Sequence, residues 1–301
     1  MTPSFIATSS NGNYSFQTYN ITPDGIQTDF YKEKIDELDN PNLDTKGRAS
    51  FCPFGITKDE NIIYVSSHLK IGMFDAKTYE YLGLVEGVAS NLNTHQILID
   101  GDLMYICNTS NDSLGILNLK TKENKYVMLK DDIENGFEIK DSVVFQKNFY
   151  AEDMLHFNSL CQHKDSLFLL FSVRGLSSSK VLEISKKDYQ PIQIIEDFGT
   201  FNHDIVVTDE SIYSVSTHTG ELIEYCRKTQ TFQRHLICRN VVDWWPRGLK
   251  KIDDTIYVFV GENFKSTKKF QFNIVREFDL IDKKIRDTHL IPLIGSIYQI
   301  I

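Results

Sequence analysis

Several local signatures are missing from these 301 residues, and each absence removes a class of protein. GxSxG, GxGxxG and GxxxxGK[ST] do not occur, so a nucleophile elbow, a dinucleotide loop and a P-loop have no local support. HExxH and HxH spacings are absent too. No apolar run approaches the roughly 18 residues that span a bilayer, which argues against a membrane partner. The start, MTPSFIATSS, offers neither a basic segment nor a following apolar core, so no signal peptide is expected. Cysteine is sparse and scattered: Cys52, Cys107, Cys161, Cys226 and Cys238 stand singly with no CxxC. An odd, dispersed set fits reduced thiols in a cytoplasmic protein better than a disulfide framework. NYS at 13, NTS at 108 and NDS at 111 are therefore read as chance matches to glycosylation acceptors. Long runs of Lys and Arg are lacking, KSTKK at 265 to 269 being a short solvated loop, and the net charge is -9. This disfavours nucleic acid as a partner.

What the chain does contain is a repeat. Five windows align without gaps: FGITKDENIIY (54 to 64), HQILIDGDLMY (95 to 105), NSLCQHKDSLF (158 to 168), HDIVVTDESIY (203 to 213) and RGLKKIDDTIY (247 to 257). Each begins with a short, mostly polar element and reaches an aromatic residue ten positions later. After each comes a second apolar strand and then a third with its own echo: MFDAKTYEYLG (73 to 83), ILNLKTKENKYV (116 to 127), VLEISKKDYQPI (181 to 192), LIEYCRKTQTFQ (222 to 233) and VREFDLIDKKIR (275 to 286). A period of this kind in an all-β pattern is the mark of a β-propeller of four-stranded antiparallel blades in one domain covering 1 to 301. A sixth copy, at 4 to 10 and 15 to 30, lacks its innermost strand, and LIGSIYQII (293 to 301) can supply it. Six blades, one shared by both ends of the chain, is the expected count, and closure of this kind removes exposed sheet edges. Five or seven stay open because 129 to 155 has room for extra strands.

Strand order decides which residues share a face. The start of a first strand and the end of a second lie together, and so do the connections between blades. The long connections, 31 to 52, 129 to 156, 174 to 180 and 261 to 273, fall on this side, called here the top. Long loops on a rigid scaffold are commonly functional. Five of the eight histidines map there as well: His68, His95, His156, His203 and His218. His163 falls in a bottom turn, and His235 and His289 on outer strands, where imidazoles are tolerated as surface groups.

The first column of the windows, Phe54, His95, Asn158, His203 and Arg247, is expected to rim the channel mouth. Glu262, Asn263 and Asn202 lie nearby, Trp244, Trp245 and Pro246 lead into Arg247, and Phe201 and Phe157 are expected to approach their strands in matching positions. A concave mouth with convergent polar groups and aromatic walls suits a small molecule. One reading is acid-base catalysis on a small polar or anionic ligand, of a hydrolase or lyase kind. His95, His156 and His203 would move protons, Glu262 would orient an imidazole, and Arg247, Asn158, Trp245, His68, His218 and Phe54 would hold the substrate. A second reading places a divalent metal on His95, His156 and His203, against which the fixed charge of Arg247 counts. A third is binding without chemistry, with DWWPRG as a hot spot for a peptide, glycan or protein partner.

At WPRGL (245 to 249), FGI (54 to 56) and NSL (158 to 160), each followed by a short turn and a strand like IYV, the chain resembles six-bladed propellers. It is similar to the NHL-repeat and gluconolactonase-like group and to bacterial propeller proteins of unknown function. The resemblance covers nearly the whole chain. It implies the fold and, for gluconolactonase-like proteins, a divalent metal held in the channel by Glu, Asn and Asp. Here the column reads His, Asn, His and Arg, a departure that sets lactonase chemistry aside.

Overall fold

Six antiparallel sheets follow one another along the chain in a computed structural model that describes residues 4–9, 14–22, 25–33, 35, 38, 54–67, 70–88, 94–129, 136–141, 155–172, 178–263, 272–291 and 297–301. The first blade contains β1 (Ser4–Ser9), β2 (Tyr14–Thr22) and β3 (Gly25–Glu33). Blade 2 is β4 (Ile56–Lys58), β5 (Ile62–Ser66), β6 (Ile71–Asp75) and β7 (Tyr81–Leu84). Blade 3 has β8 (Thr94–Asp100), β9 (Leu103–Asn108), β10 (Ser113–Asn118), β11 (Asn124–Met128) and a fifth strand, β12 (Glu138–Lys140). Blade 4 runs β13 (Phe157–His163), β14 (Ser166–Phe171), β15 (Lys180–Ser185) and β16 (Pro191–Ile195). Blade 5 is β17 (Asn202–Val207), β18 (Ser211–Ser216), β19 (Glu221–Cys226) and β20 (Thr231–Leu236). Blade 6 is β21 (Trp244–Ile252), β22 (Thr255–Glu262), β23 (Asn273–Asp279) and β24 (Lys284–Ile291).

The ring closes as the sequence suggests. β25 (Ile297–Ile300) pairs antiparallel with β1, Ala7 facing Ile300, and becomes the innermost strand of blade 1. The segment 129 to 156, read from sequence as a connection, contributes β12 to the outer edge of blade 3. It adds a strand to a blade and not a seventh blade.

The apolar residues explain why sheets stack face to face around a ring. The aromatic anchors Tyr64, Tyr105, Phe168, Tyr213 and Tyr257 are all buried, as are most residues of runs such as SLFLLF in β14. Strands apolar on both faces need a neighbour on both faces. Six core clusters result, each drawn mainly from two successive blades: Phe16 with Phe74, Ile97 with Tyr64, Phe157 with Leu114, Phe198 with Ile205, Val215 with Val258, and Phe5 with Phe259. The core is therefore a set of layers between blades.

Turns between third and fourth strands set the echo. Asp75, Asn118 and Asp279 each accept, through their side-chain oxygen, from the backbone N–H groups two and three residues on, and Ser185 does so two residues on. These caps correspond to one another. The last three echo windows given above thus run two residues out of step with the first two.

Candidate functional site

Every full innermost strand carries a β-bulge at its top end. Register shifts occur between Thr94 and Ile97, Phe157 and Ser159, His203 and Ile205, and Pro246 and Gly248. In blade 2 Phe54 N donates to Ser66 O while Ser66 N donates to Gly55 O, so two residues oppose one there as well. Bulges re-aim side chains, and the extra residues here are Asn158 in blade 4, Asp204 in blade 5 and Arg247 in blade 6. His156 and Phe201, which occupy equivalent positions in blades 4 and 5, both adopt left-handed backbone conformations, with φ of 53° and 54°. Such conformations in non-glycine residues cost of order 1 kcal/mol and concentrate at functional sites.

The rings form one continuous arc from blade 2 to blade 6. Phe54 stacks on His95 with centroids 4.9 Å apart, and His95 meets the ring of His156 edge to face at 5.3 Å. Phe201 lies parallel to both His156 (6.0 Å) and His218 (4.7 Å), and makes edge contacts with His203 (4.9 Å) and Trp245 (6.3 Å). The guanidinium of Arg247 sits 4.8 Å from the Trp245 ring, a cation-π contact. Depth is graded along the arc. His218 is exposed, His95 and His156 are half-buried, and Phe54, His203, Trp245 and Arg247 are buried beneath them.

His203 has a fixed protonation pattern. Its Nδ1 lies 3.1 Å from the Phe201 carbonyl and 2.8 Å from Thr217 Oγ1, and Thr217 itself donates to the Pro246 carbonyl at 2.8 Å. A carbonyl can only accept, and the Thr217 proton is already committed, so Nδ1 carries the hydrogen of the neutral ring and Nε2 carries the lone pair. Burial holds the basicity of His203 well below the usual imidazole value, and the positive charge of Arg247 and the neighbouring His156 and His95 press it further in the same direction.

Other expected site residues are placed differently. Asn158 is committed within the fold: Nδ2 donates to Ser172 Oγ (2.6 Å) and Asn202 O (3.0 Å), and Oδ1 accepts from Ser159 Oγ (2.9 Å). These bonds make it a tie between blades 4 and 5. Phe157 does not match Phe201 either; it is fully buried in the core between blades 3 and 4, and His156 takes the matching position. Glu262 is buried at the end of β22, opposite Trp244, where its backbone N–H donates to Asn273 Oδ1 (3.2 Å). His68 lies outside the described residues, as do most of the long top connections. Among the described residues no three of His, Cys, Asp and Glu form a group able to hold a metal ion. The expected cradle of His95, His156 and His203 is therefore not assembled: two rings meet edge to face and the third turns Nδ1 into the protein. A Glu-Asn-Asp set of the gluconolactonase kind does not fit the window column either, which sets Phe54, His95, His203 and Arg247 beside Asn158 and no Glu or Asp.

The second column of the same windows, passed over in the sequence, builds the level below the rim. Gln96 accepts from Leu160 N (2.9 Å) and donates to Asp204 Oδ1 (3.1 Å); Asp204 Oδ2 accepts from Leu249 N (2.7 Å), and Asp204 N donates to Ser159 Oγ (2.9 Å). Gln299 repeats the pattern from the closing strand, accepting from Ile56 N at 2.7 Å. Neighbouring innermost strands are thus joined by side chains, and a chord from blade 3 to blade 5 underlies the histidines. Burial lifts the Asp204 carboxyl to about 6, although the N–H groups of Leu249, Gln96 and Ile205 and the charge of Lys250 work to lower it. The sequence signal was a carboxylate in HDIVV, between His203 and an apolar run.

No family model matches the chain, and no curated protein matches it. Among solved structures, a chain of the nidogen/laminin complex is similar, with a TM-score of 0.66 over 99% of this chain and 97% of that chain at 10% identity. The computationally designed Ika8 protein covers 79% of this chain and 86% of its own at 9% identity, with a TM-score of 0.45. The first likeness, at this identity, concerns the fold alone.

Proposed function

We propose that the top mouth is the active site of an enzyme that binds a small polar or anionic molecule and moves a proton on it, in a hydrolase- or lyase-like reaction. One observation carries this reading: the contacts of His203 Nδ1 with Phe201 O and Thr217 Oγ1, which commit that nitrogen as a donor and leave Nε2 as a base beside the permanent charge of Arg247. Arg247, held over Trp245, would take a carboxylate or phosphate through its planar fork. His95 and His156 stand in the same arc and would donate to or accept from the bound molecule, with His218 at the entrance. Four free thiols among the described residues, Cys107, Cys161, Cys226 and Cys238, support a reducing, cytoplasmic setting. No helix among the described residues is long and apolar enough to cross a membrane.

A second reading is a protein-binding face. Val242, 73% exposed, stands beside Trp244 and Trp245 on the rim, and the structurally similar nidogen chain comes from a complex with laminin. The finer relation to NHL-repeat or gluconolactonase-like proteins belongs with these proposals and brings no metal set with it.

The test is a binding and turnover screen against small carboxylates and phosphate esters. Arg247→Ala and His203→Ala are each expected to abolish binding or turnover while the melting temperature stays within a few degrees. Because burial and the charge of Arg247 hold His203 well below the usual imidazole value, its ring signals should remain those of the neutral form through the usual imidazole range in an NMR pH titration. Absence of any hit, together with capture of a protein partner that Val242→Asp releases, would replace the enzyme by the interaction module.

A further inference from the structure

Thr217 directly follows the second strand of blade 5, is fully buried, and belongs to a set of hydroxyls that tie blades together. Thr8 donates to Phe54 O (2.8 Å), Thr109 to Phe157 O (2.6 Å), Ser172 to Asn202 O and Thr217 to Pro246 O (2.8 Å). Each bond runs from a residue in or just past the second strand of one blade to the carbonyl at or just before the window of the next. In blade 5 the same oxygen has a further contact, to His203 Nδ1 at 2.8 Å. Its proton points at Pro246, so its lone pair must face the imidazole. Pro246 immediately precedes Arg247, the extra residue of the β21 bulge.

We infer that Thr217 is a positioning residue that fixes the tautomer of His203 and couples that base to the bulge presenting Arg247. The carbonyl of Phe201 alone leaves the ring one acceptor; Thr217 supplies the second and cannot reverse its role while Pro246 O takes its proton. The catalytic meaning of this role rests on the enzyme reading above, whereas the tautomer itself does not.

The experiment is 15N NMR of the histidine rings of the whole chain, which reports the tautomer without any ligand. Wild type is expected to show His203 as the Nδ1–H form. Loss of one net hydrogen bond, about 1 kcal/mol, corresponds to about a fivefold move toward the Nε2–H form in Thr217→Val, with Thr217→Ser restoring the wild-type ratio. Thr8→Val removes an equivalent tie in blade 1 and should leave the His203 ratio unchanged, separating this role from general loss of blade packing. Should Thr217→Val fail to fold, Thr217→Ala removes the hydroxyl without placing a methyl against Nδ1. An unchanged tautomer ratio in Thr217→Val or Thr217→Ala overturns the inference. If the ratio moves as expected but the ligand screen finds nothing, the enzyme reading fails and the assignment of Thr217 stands.

Discussion

Asp112 holds the backbone on both sides of His156: Oδ2 accepts from Leu155 N at 2.7 Å and Oδ1 from Phe157 N at 3.1 Å. A carboxylate from blade 3 thereby imposes the left-handed conformation that brings the imidazole of blade 4 into the arc. Asp112 lies in NTSNDS, where two glycosylation-like triplets occur. In the fold Asn108 and Asn111 are buried, so this stretch is a clamp.

Replacing Asp112 with Asn keeps the shape but removes the charge and one of the two acceptors. The expected loss is about 2 kcal/mol, since hydrogen bonds to charged groups are the stronger ones and an orphaned N–H adds its own cost. Urea denaturation measures it. The ring signals of His156 and His95 should also broaden or shift as their edge contact loosens; sharp, unmoved signals would show that Asp112 does not hold His156 in place.

Asp204 gives the protein an unusual acid response. Its folded value of about 6 exceeds the ordinary aspartate value, so the folded state binds the proton more readily than the unfolded chain. Its contribution is unfavourable above pH about 6 and becomes progressively less so as pH falls toward about 4. The stability of wild type relative to Asp204→Asn should rise by about 3 kcal/mol across that window. A difference independent of pH would mean that Asp204 is ordinarily acidic in the fold.

Glu224 acts in the opposite sense. It is buried, and burial alone would raise it, but hydrogen bonds with His235, Lys283, Tyr213 and Ser211 outweigh that and bring it down to about 2. Stability from this cluster is present above the unfolded glutamate value, about 4.3, and is lost as pH falls toward 2. Glu224→Gln should therefore be less stable than wild type at neutral pH by about 3 kcal/mol, with the gap closing between pH about 4 and about 2. Lys283 comes from blade 6, so the loss should also loosen the seam between blades 5 and 6, which hydrogen exchange at Tyr213 would register.

The repeat was readable because burial of an aromatic on each second strand is a property of side-chain type, and period alone reveals it. Residues such as Tyr105 and Phe168 are spaced as the strands require. The rim was readable only in part. His95, His203 and Arg247 do converge, the first two as second residues of β8 and β17 and the third as the bulged residue of β21. Phe157 misleads because the pairing register of β13 and β14 sends it into the core and leaves His156 in the position of Phe201, and register is a property of pairing between strands. The same slip hid Gln96, Asp204 and Gln299: one position along each window the side chain passes below the rim, and only the register of β8, β17 and β25 makes that visible.

Closure of blade 1 has a consequence for how the molecule assembles. The bond from Gln299 N to Thr8 Oγ1 joins residues 291 positions apart, so the first blade remains three strands wide until residues near 299 have been synthesised. Blades 2 to 6, by contrast, each draw their strands from one continuous stretch of chain. A flexible chain would lose about 5 kcal/mol of entropy in joining ends so distant in sequence, and the stacked blades 2 to 6 lessen that loss by holding the two ends near each other. A chain pulled apart mechanically should accordingly yield first at this seam, and a circular permutant that makes residues 297–301 contiguous with residue 4 should fold faster than the natural order while keeping the same mouth.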